Sequence, residues 1–117
     1  MLRLYGRPAM AGPAELDEWD ILRRGTQWTA LAPIEARIVS VLLERAGRVV
    51  RRRDLAGAWP HGCPGERAVD GRLTTLRARI APLGLEIRTV RARGFVLDVA
   101  PELDTVTAIA RTEIAGI

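Results

Sequence analysis

The sequence predicts an α+β domain: a small antiparallel sheet first, three helices next, a β-hairpin last. Three observations carry that expectation. Read at about 100° per residue, Glu66–Leu83 places Val69, Leu73, Leu76 and Ile80 in one narrow stripe, the pattern of a helix buried along one side. Residues 85–99 alternate apolar and polar on either side of Arg91-Ala92-Arg93-Gly94, the pattern of a hairpin. Pro33 followed by Ile34, Ile38, Val41 and Leu42 gives a second helical face.

At 117 residues the chain is long enough for one unstapled domain, placed at 1–100 with a tail at 101–117. No apolar run approaches 18 residues and no signal-peptide core opens the chain, so the expectation is a cytoplasmic, nucleoid-associated protein with no membrane contact. The single cysteine, Cys63, has no internal disulfide partner, and with His61 alone it makes no zinc site. No metal or cofactor is expected. All 18 basic residues are arginine, a bias that also reflects coding composition. Their distribution says more. Residues 1–30 and 31–46 are each neutral, residues 47–98 hold eleven Arg against five acids, and residues 99–117 hold one Arg against three. Positive charge concentrated in one segment is the footprint of a polyanion-binding surface.

In chain order, Leu2–Tyr5 alternates as a short strand before a Gly/Pro loop that runs to residue 16. Residues 17–31 read as a hairpin, with Trp19, Ile21 and Leu22 on one arm, Arg23-Arg24-Gly25 as the turn, and Thr26, Trp28 and Ala30 on the other. The helix opened by Pro33 stops at Gly47. Ala32 stands where a polar N-cap belongs, a loss of about 1 kcal/mol. Val49-Val50 is a brief extended link. Asp54–Trp59, ended by Pro60, is a short second helix, and residues 60–65 are loop. The third helix spans 66–80, stopped by Pro82 and Gly84. The tail places Leu103, Val106, Ala110, Ile114 and Ile117 on one helical face, which packs on the sheet, meets a second copy or a partner, or frays.

The outer face of the 66–80 helix holds Arg67, Gly71, Thr74, Thr75 and Ala78, with Arg72 and Arg79 on one border and Arg77 on the other. It is small in the middle and cationic at its edges. A major groove admits a helix while phosphates line both walls, so this face suits duplex DNA; the plain alternative is a solvated arginine face. Gly71 costs roughly 1 kcal/mol in a helix interior; on the solvated-face reading that is a flaw, and on the binding reading it marks a place of close approach. Helix, turn, helix, basic hairpin is the order of a winged helix-turn-helix, whose hairpin tip meets the minor groove or backbone.

Residues 31–95 resemble the DNA-binding effector domain of OmpR/PhoB-type response regulators. The phrases that carry the resemblance are Leu31-Ala32-Pro33-Ile34-Glu35-Ala36-Arg37, Gly47-Arg48-Val49-Val50, Trp59, Arg67-Ala68-Val69-Asp70, Leu76-Arg77, and Ile87-Arg88-Thr89-Val90-Arg91-Ala92-Arg93-Gly94-Phe95. The resemblance implies an N-terminal antiparallel sheet, a three-helix core at 33–83 and a wing at 85–99. It implies double-stranded DNA as partner, with the third helix in the major groove. Carried over by position, Arg67, Arg72, Thr74, Thr75 and Arg77 are the helix contacts, Thr89, Arg91 and Arg93 the wing contacts, and Arg52 a backbone contact at the second helix. RNA polymerase at loop 60–65, another regulator and a homodimer are the further partners it leaves open.

The sequence departs from the family in places. Ala32 replaces the threonine before proline, Arg51 the serine that caps the second helix, Gly71-Arg72 a valine-histidine pair, and Thr74 and Thr75 longer or basic residues. Phosphate contacts should therefore dominate affinity, with a modest base preference from the threonines. Thirty residues before the first helix are too few for a receiver domain, so Asp17, Asp20 and Asp54 are not read as phosphoacceptors and a stand-alone, orphan regulator of transcription is expected. The alternative is a protein-interaction module on the same frame with weakened DNA binding. An enzyme is not expected: no serine, histidine and acid form a triad, and no Gly-rich phosphate loop follows a strand.

Overall fold

The computed structural model describes residues 13–99. The strand expected at Leu2–Tyr5 and the amphipathic tail at 101–117 lie outside them. The order is β1 (Glu15–Leu16), β2 (Ile21–Arg24), β3 (Gln27–Ala30), α1 (Pro33–Glu44), α2 (Arg52–Ala56), α3 (Glu66–Ile80), a 3-10 turn (Ala81–Leu83), β4 (Leu85–Val90) and β5 (Gly94–Val99). Strands β1-β2-β3 form one antiparallel sheet and β4-β5 a second.

The N-terminal hairpin turns later than the sequence suggested. Arg23 and Arg24 are strand residues, paired with Trp28 and Gln27, and the turn is Gly25-Thr26, with Gly25 at φ +63°. Trp19 sits in the turn ahead of β2 rather than on its arm, and Glu15–Leu16, expected as loop, pairs with β2. The cause is Arg24, which faces the core beside Leu22. It is 7% exposed, and its Nη1 donates to the Leu83 carbonyl oxygen at 2.7 Å. A buried guanidinium is tolerated only with such a partner, and Gly84 makes room for it: a Cβ there would lie 2.6 Å from Nη1. Ahead of β2, Asp17 Oδ1 accepts from the backbone N–H groups of Trp19 (2.8 Å) and Ile21 (3.1 Å).

Helix α1 opens on Pro33 as expected and stops two residues before the expected Ala46. Ile38 and Leu42 are fully buried, while Ile34 and Val41 are half-buried, because the inward stripe is centred on Glu35, Ala36, Ile38, Val39 and Leu42. The cap lost at Ala32 is recovered in reverse. Glu35 Oε1 accepts the Ala32 backbone N–H at 2.9 Å, and the same carboxylate, fully buried, pairs with Arg79 Nε at 3.1 Å. One residue thus satisfies an orphan helix donor and ties α1 to α3.

After α1, Val50 pairs with Phe95, donating at 2.7 Å and accepting at 2.8 Å, so the extended link joins the wing as a third strand one bridge long. Helix α2 begins at Arg52 and ends at Ala56, not at 54–59; Gly57 and Ala58 form a turn that carries the chain to Trp59. Helix α3 matches its expected bounds, and Val69, Leu73, Leu76 and Ile80 are all at most 1% exposed. These four meet Leu22, Ile38, Leu42, Leu55, Ile87, Phe95 and Leu97 in one core. Each such side chain contributes roughly 1.5–3 kcal/mol of burial.

Candidate nucleic-acid interface

With its stripe sealed in the core, α3 turns Arg67, Gly71, Thr74, Thr75 and Ala78 to solvent, as the periodicity required. Nothing lies within 4 Å of where a Gly71 Cβ would stand, so the middle of this face is open. The hydroxyls of Thr74 and Thr75 donate back to the carbonyl oxygens of Asp70 (3.0 Å) and Gly71 (3.4 Å). With those protons in use, the two threonines offer outward a methyl group and an acceptor oxygen.

The arginines divide into two sets that the sequence cannot separate. Arg77 is committed to the wing: Nε donates to the Ile87 carbonyl oxygen at 2.8 Å, and Nη2 to Thr89 Oγ1 at 3.0 Å. Arg52 forms an ion pair with Asp70 on α3, and its guanidinium carbon lies 5.2 Å from the centre of the Phe95 ring on β5. Arg79 holds Glu35. Elsewhere Arg23, Arg45 and Arg88 pair with Asp17, Asp54 and Asp98. Among the described residues, Arg67 and Arg72 on α3 and Arg91 and Arg93 on the wing have no such partner. Of the nine residues singled out from the sequence, the structure thus brings Arg67, Arg72, Thr74, Thr75, Arg91 and Arg93 to the outer surface with their charges or methyls available. It gives Arg52, Arg77 and Thr89 intramolecular partners.

The wing tip is Arg91-Ala92-Arg93, between β4 and β5, with Val90 paired to Gly94. Ala92 takes φ +63°, and Gly94 takes φ +146°. A Cβ on Gly94 would stand 2.2 Å from the Val50 carbonyl oxygen, so the 49–50 link is pressed against the base of the turn. Glycine there is a packing requirement. It also places the backbone of Arg51, in sequence only a missing cap, beside the wing.

A three-helix core, a helix with a small cationic outer face and a basic hairpin strapped beside it define a winged helix-turn-helix domain. The family model "Transcriptional regulatory protein, C terminal" matches residues 25–97. The chain belongs to that family, the OmpR/PhoB-type DNA-binding domains of transcription regulators. Solved structures agree. The C-terminal domain of the nisin resistance regulator NsrR, a lantibiotic response regulator, is 28% identical, with a TM-score of 0.65 over 74% of this chain and 93% of that one. The DNA-binding domain of the response regulator AdeR, solved in complex with an intercistronic region, is 23% identical, with a TM-score of 0.62 over 75% and 95%. The DNA-binding domain of E. coli CadC is 21% identical, with a TM-score of 0.61 over 76% and 94%. These last two show the fold. No curated protein matches the chain. Among the described residues, no helix is long and apolar enough to cross a membrane.

Proposed function

We propose that this chain is a sequence-preferring regulator of transcription that acts alone by occupying duplex DNA, with α3 in the major groove and the Arg91–Arg93 tip on the minor groove or backbone. The observation that supports it is the pairing of an open, small-residue helix face with unpaired arginines on that helix and on the adjacent wing tip. Arg67, Arg72, Arg91 and Arg93 neutralise phosphates; Thr74 and Thr75 meet base edges through methyl contact, and Gly71 lets the helix backbone approach. Arg52, Arg77 and Thr89 serve the same surface from within, by fixing the wing against α3.

Phosphate neutralisation releases counterions, so log K should fall linearly with log salt, by about 0.9 for each phosphate contacted. The test is fluorescence anisotropy with the duplex upstream of the protein's own coding sequence and a scrambled duplex, each titrated at several salt concentrations. Binding that weakens steeply with salt and favours the native sequence supports the reading. Equal binding to both duplexes leaves DNA binding standing and removes sequence preference. A flat salt dependence, or no complex at low salt, overturns the mechanism and favours a protein-interaction module on the same frame.

A further inference from the structure

Resting on that reading, we infer that Arg51 is a phosphate-binding residue that extends the wing's contact with the duplex, and that Arg52, its neighbour, is a positioning residue.

The chain presents three consecutive arginines, Arg51, Arg52 and Arg53, where the extended link passes into α2. The middle one turns inward to Asp70 and the Phe95 ring. Arg51 is exposed and, among the described residues, faces no carboxylate. Its backbone position follows from the rung that precedes it. Val50 exchanges two hydrogen bonds with Phe95, which sets Arg51 opposite Gly94, and its Cα is 3.1 Å from where a Gly94 Cβ would stand. Arg93 is the next residue along the turn. Val50 and Phe95 are both buried, so they share the inner face of this strand pair. Arg51, one residue on in an extended backbone (φ −75°, ψ 152°), projects to the other face, into solvent. Arg51, Arg93 and Arg91 therefore flank one narrow backbone junction, free of the aspartates that neutralise Arg23, Arg45 and Arg88. A duplex backbone approached by the wing tip meets Arg51 on the same pass. The residue stands at the N-cap of α2, where a side-chain acceptor would serve the helix, and it supplies no capping hydrogen bond. A cation at that position costs the helix its cap and gives the surface a charge.

The test compares Arg51→Ser, Arg51→Lys and Arg52→Ala with the unmodified chain on the same labelled upstream duplex, between about 50 and 200 mM salt. Arg51→Ser removes the charge while supplying a cap, so it should raise Tm and reduce the slope of log K on log salt by about 0.9. Arg51→Lys should keep the slope. Arg52→Ala should lower Tm and weaken binding with the slope unchanged. If the unmodified chain shows a steep slope and Arg51→Ser leaves it unaltered, the inference is overturned while the DNA-binding reading stands. If the slope falls in Arg52→Ala and not in Arg51→Ser, the two roles are exchanged and the inference is wrong. If the unmodified chain shows no salt-dependent binding, the DNA-binding reading fails and takes this assignment with it.

Discussion

Replace Gly94 with alanine and the new methyl group is driven into backbone. Its carbon would stand 2.2 Å from the Val50 carbonyl oxygen and 2.9 Å from the carbonyl carbon, neither of which can swing aside as a side chain does. Relief requires Val50 to separate from Phe95, which sacrifices the two hydrogen bonds at 2.7 and 2.8 Å. Each is worth about 1 kcal/mol net, and more when the freed groups stay buried, as they do at residues 0% and 3% exposed. Holding alanine at φ +146° adds about 1–3 kcal/mol. Gly94→Ala should thus cost about 3–5 kcal/mol. For a domain of this size that is a fall in Tm of at least about 12 °C. Differential scanning fluorimetry of the purified variant reads it directly. A matched control has the opposite sign: Ala92, two residues away at φ +63°, should gain about 0.5–1 kcal/mol on replacement by glycine, because the left-handed strain removed exceeds the added chain entropy. If Gly94→Ala melts within about 3 °C of the unmodified chain, the contact between the wing base and the 49–50 link is not the constraint described here.

Other perturbations separate the remaining roles. Arg77→Ala removes a part-buried charge-assisted hydrogen bond to the Ile87 carbonyl, together with a weaker exposed one to Thr89, and should cost at least about 1.5–3 kcal/mol in thermal unfolding, with the salt slope of DNA binding unchanged. Thr75→Val keeps a methyl group and Thr75→Ser deletes one; if the methyl meets a base edge, Ser should weaken native-sequence binding about fourfold, from roughly 0.8 kcal/mol per apolar carbon, and Val should not. Parallel shifts on native and scrambled duplexes would remove Thr75 from base discrimination. Asp17 has its pKa held below the usual 3.8, first by the Ile21 N–H, then by the Trp19 N–H and Arg23. A depressed folded-state pKa stabilises above 3.8 and loses that contribution as pH falls through the lowered value. Urea midpoints of the unmodified chain and Asp17→Asn should therefore differ at pH 6 and converge as pH falls below about 3.8; a constant gap would assign the difference to shape rather than charge.

Where a residue's environment is dictated by its own helix or strand, the sequence was legible. Val69, Leu73, Leu76 and Ile80 repeat at helical spacing, and all four of the stripe they predict are at most 1% exposed. The hairpin at 85–99 follows from alternation and a turn-forming Arg-Gly end. Errors arose where a distant partner overrides local preference. Arg24 reads as a turn residue, yet the Leu83 carbonyl, 59 positions away, makes it a strand residue facing the core. Helix α2 starts earlier than its composition suggests because Arg52 is drawn to Asp70, 18 positions on, and to Phe95. The candidate site divides the same way. Periodicity identified which residues face outward on α3, but not that Arg77 would be consumed by Ile87 and Thr89. Whether a guanidinium is free is a statement about three-dimensional neighbours. The one local hint for Arg51 was its place in a run of three arginines at a strand-to-helix junction, where successive side chains cannot all face the same way.

The two arginine straps have a mechanical meaning. Arg77 fastens α3 to β4, and Arg52 links it to β5 through Phe95, so helix and hairpin are tied together like a caliper. A caliper with fixed jaws measures. On B-form DNA each added base pair carries a phosphate about 3.4 Å along the axis and about a tenth of a turn around it. If α3 and the wing hold separate stretches of one duplex, as proposed, one base pair inserted between those stretches would carry the second out of reach. If the straps hold, the duplex would have to twist or bend to follow, at an energetic cost set by its own sequence. Under the proposed binding mode, spacing within the site would then be gauged by side chains that need not touch DNA at all.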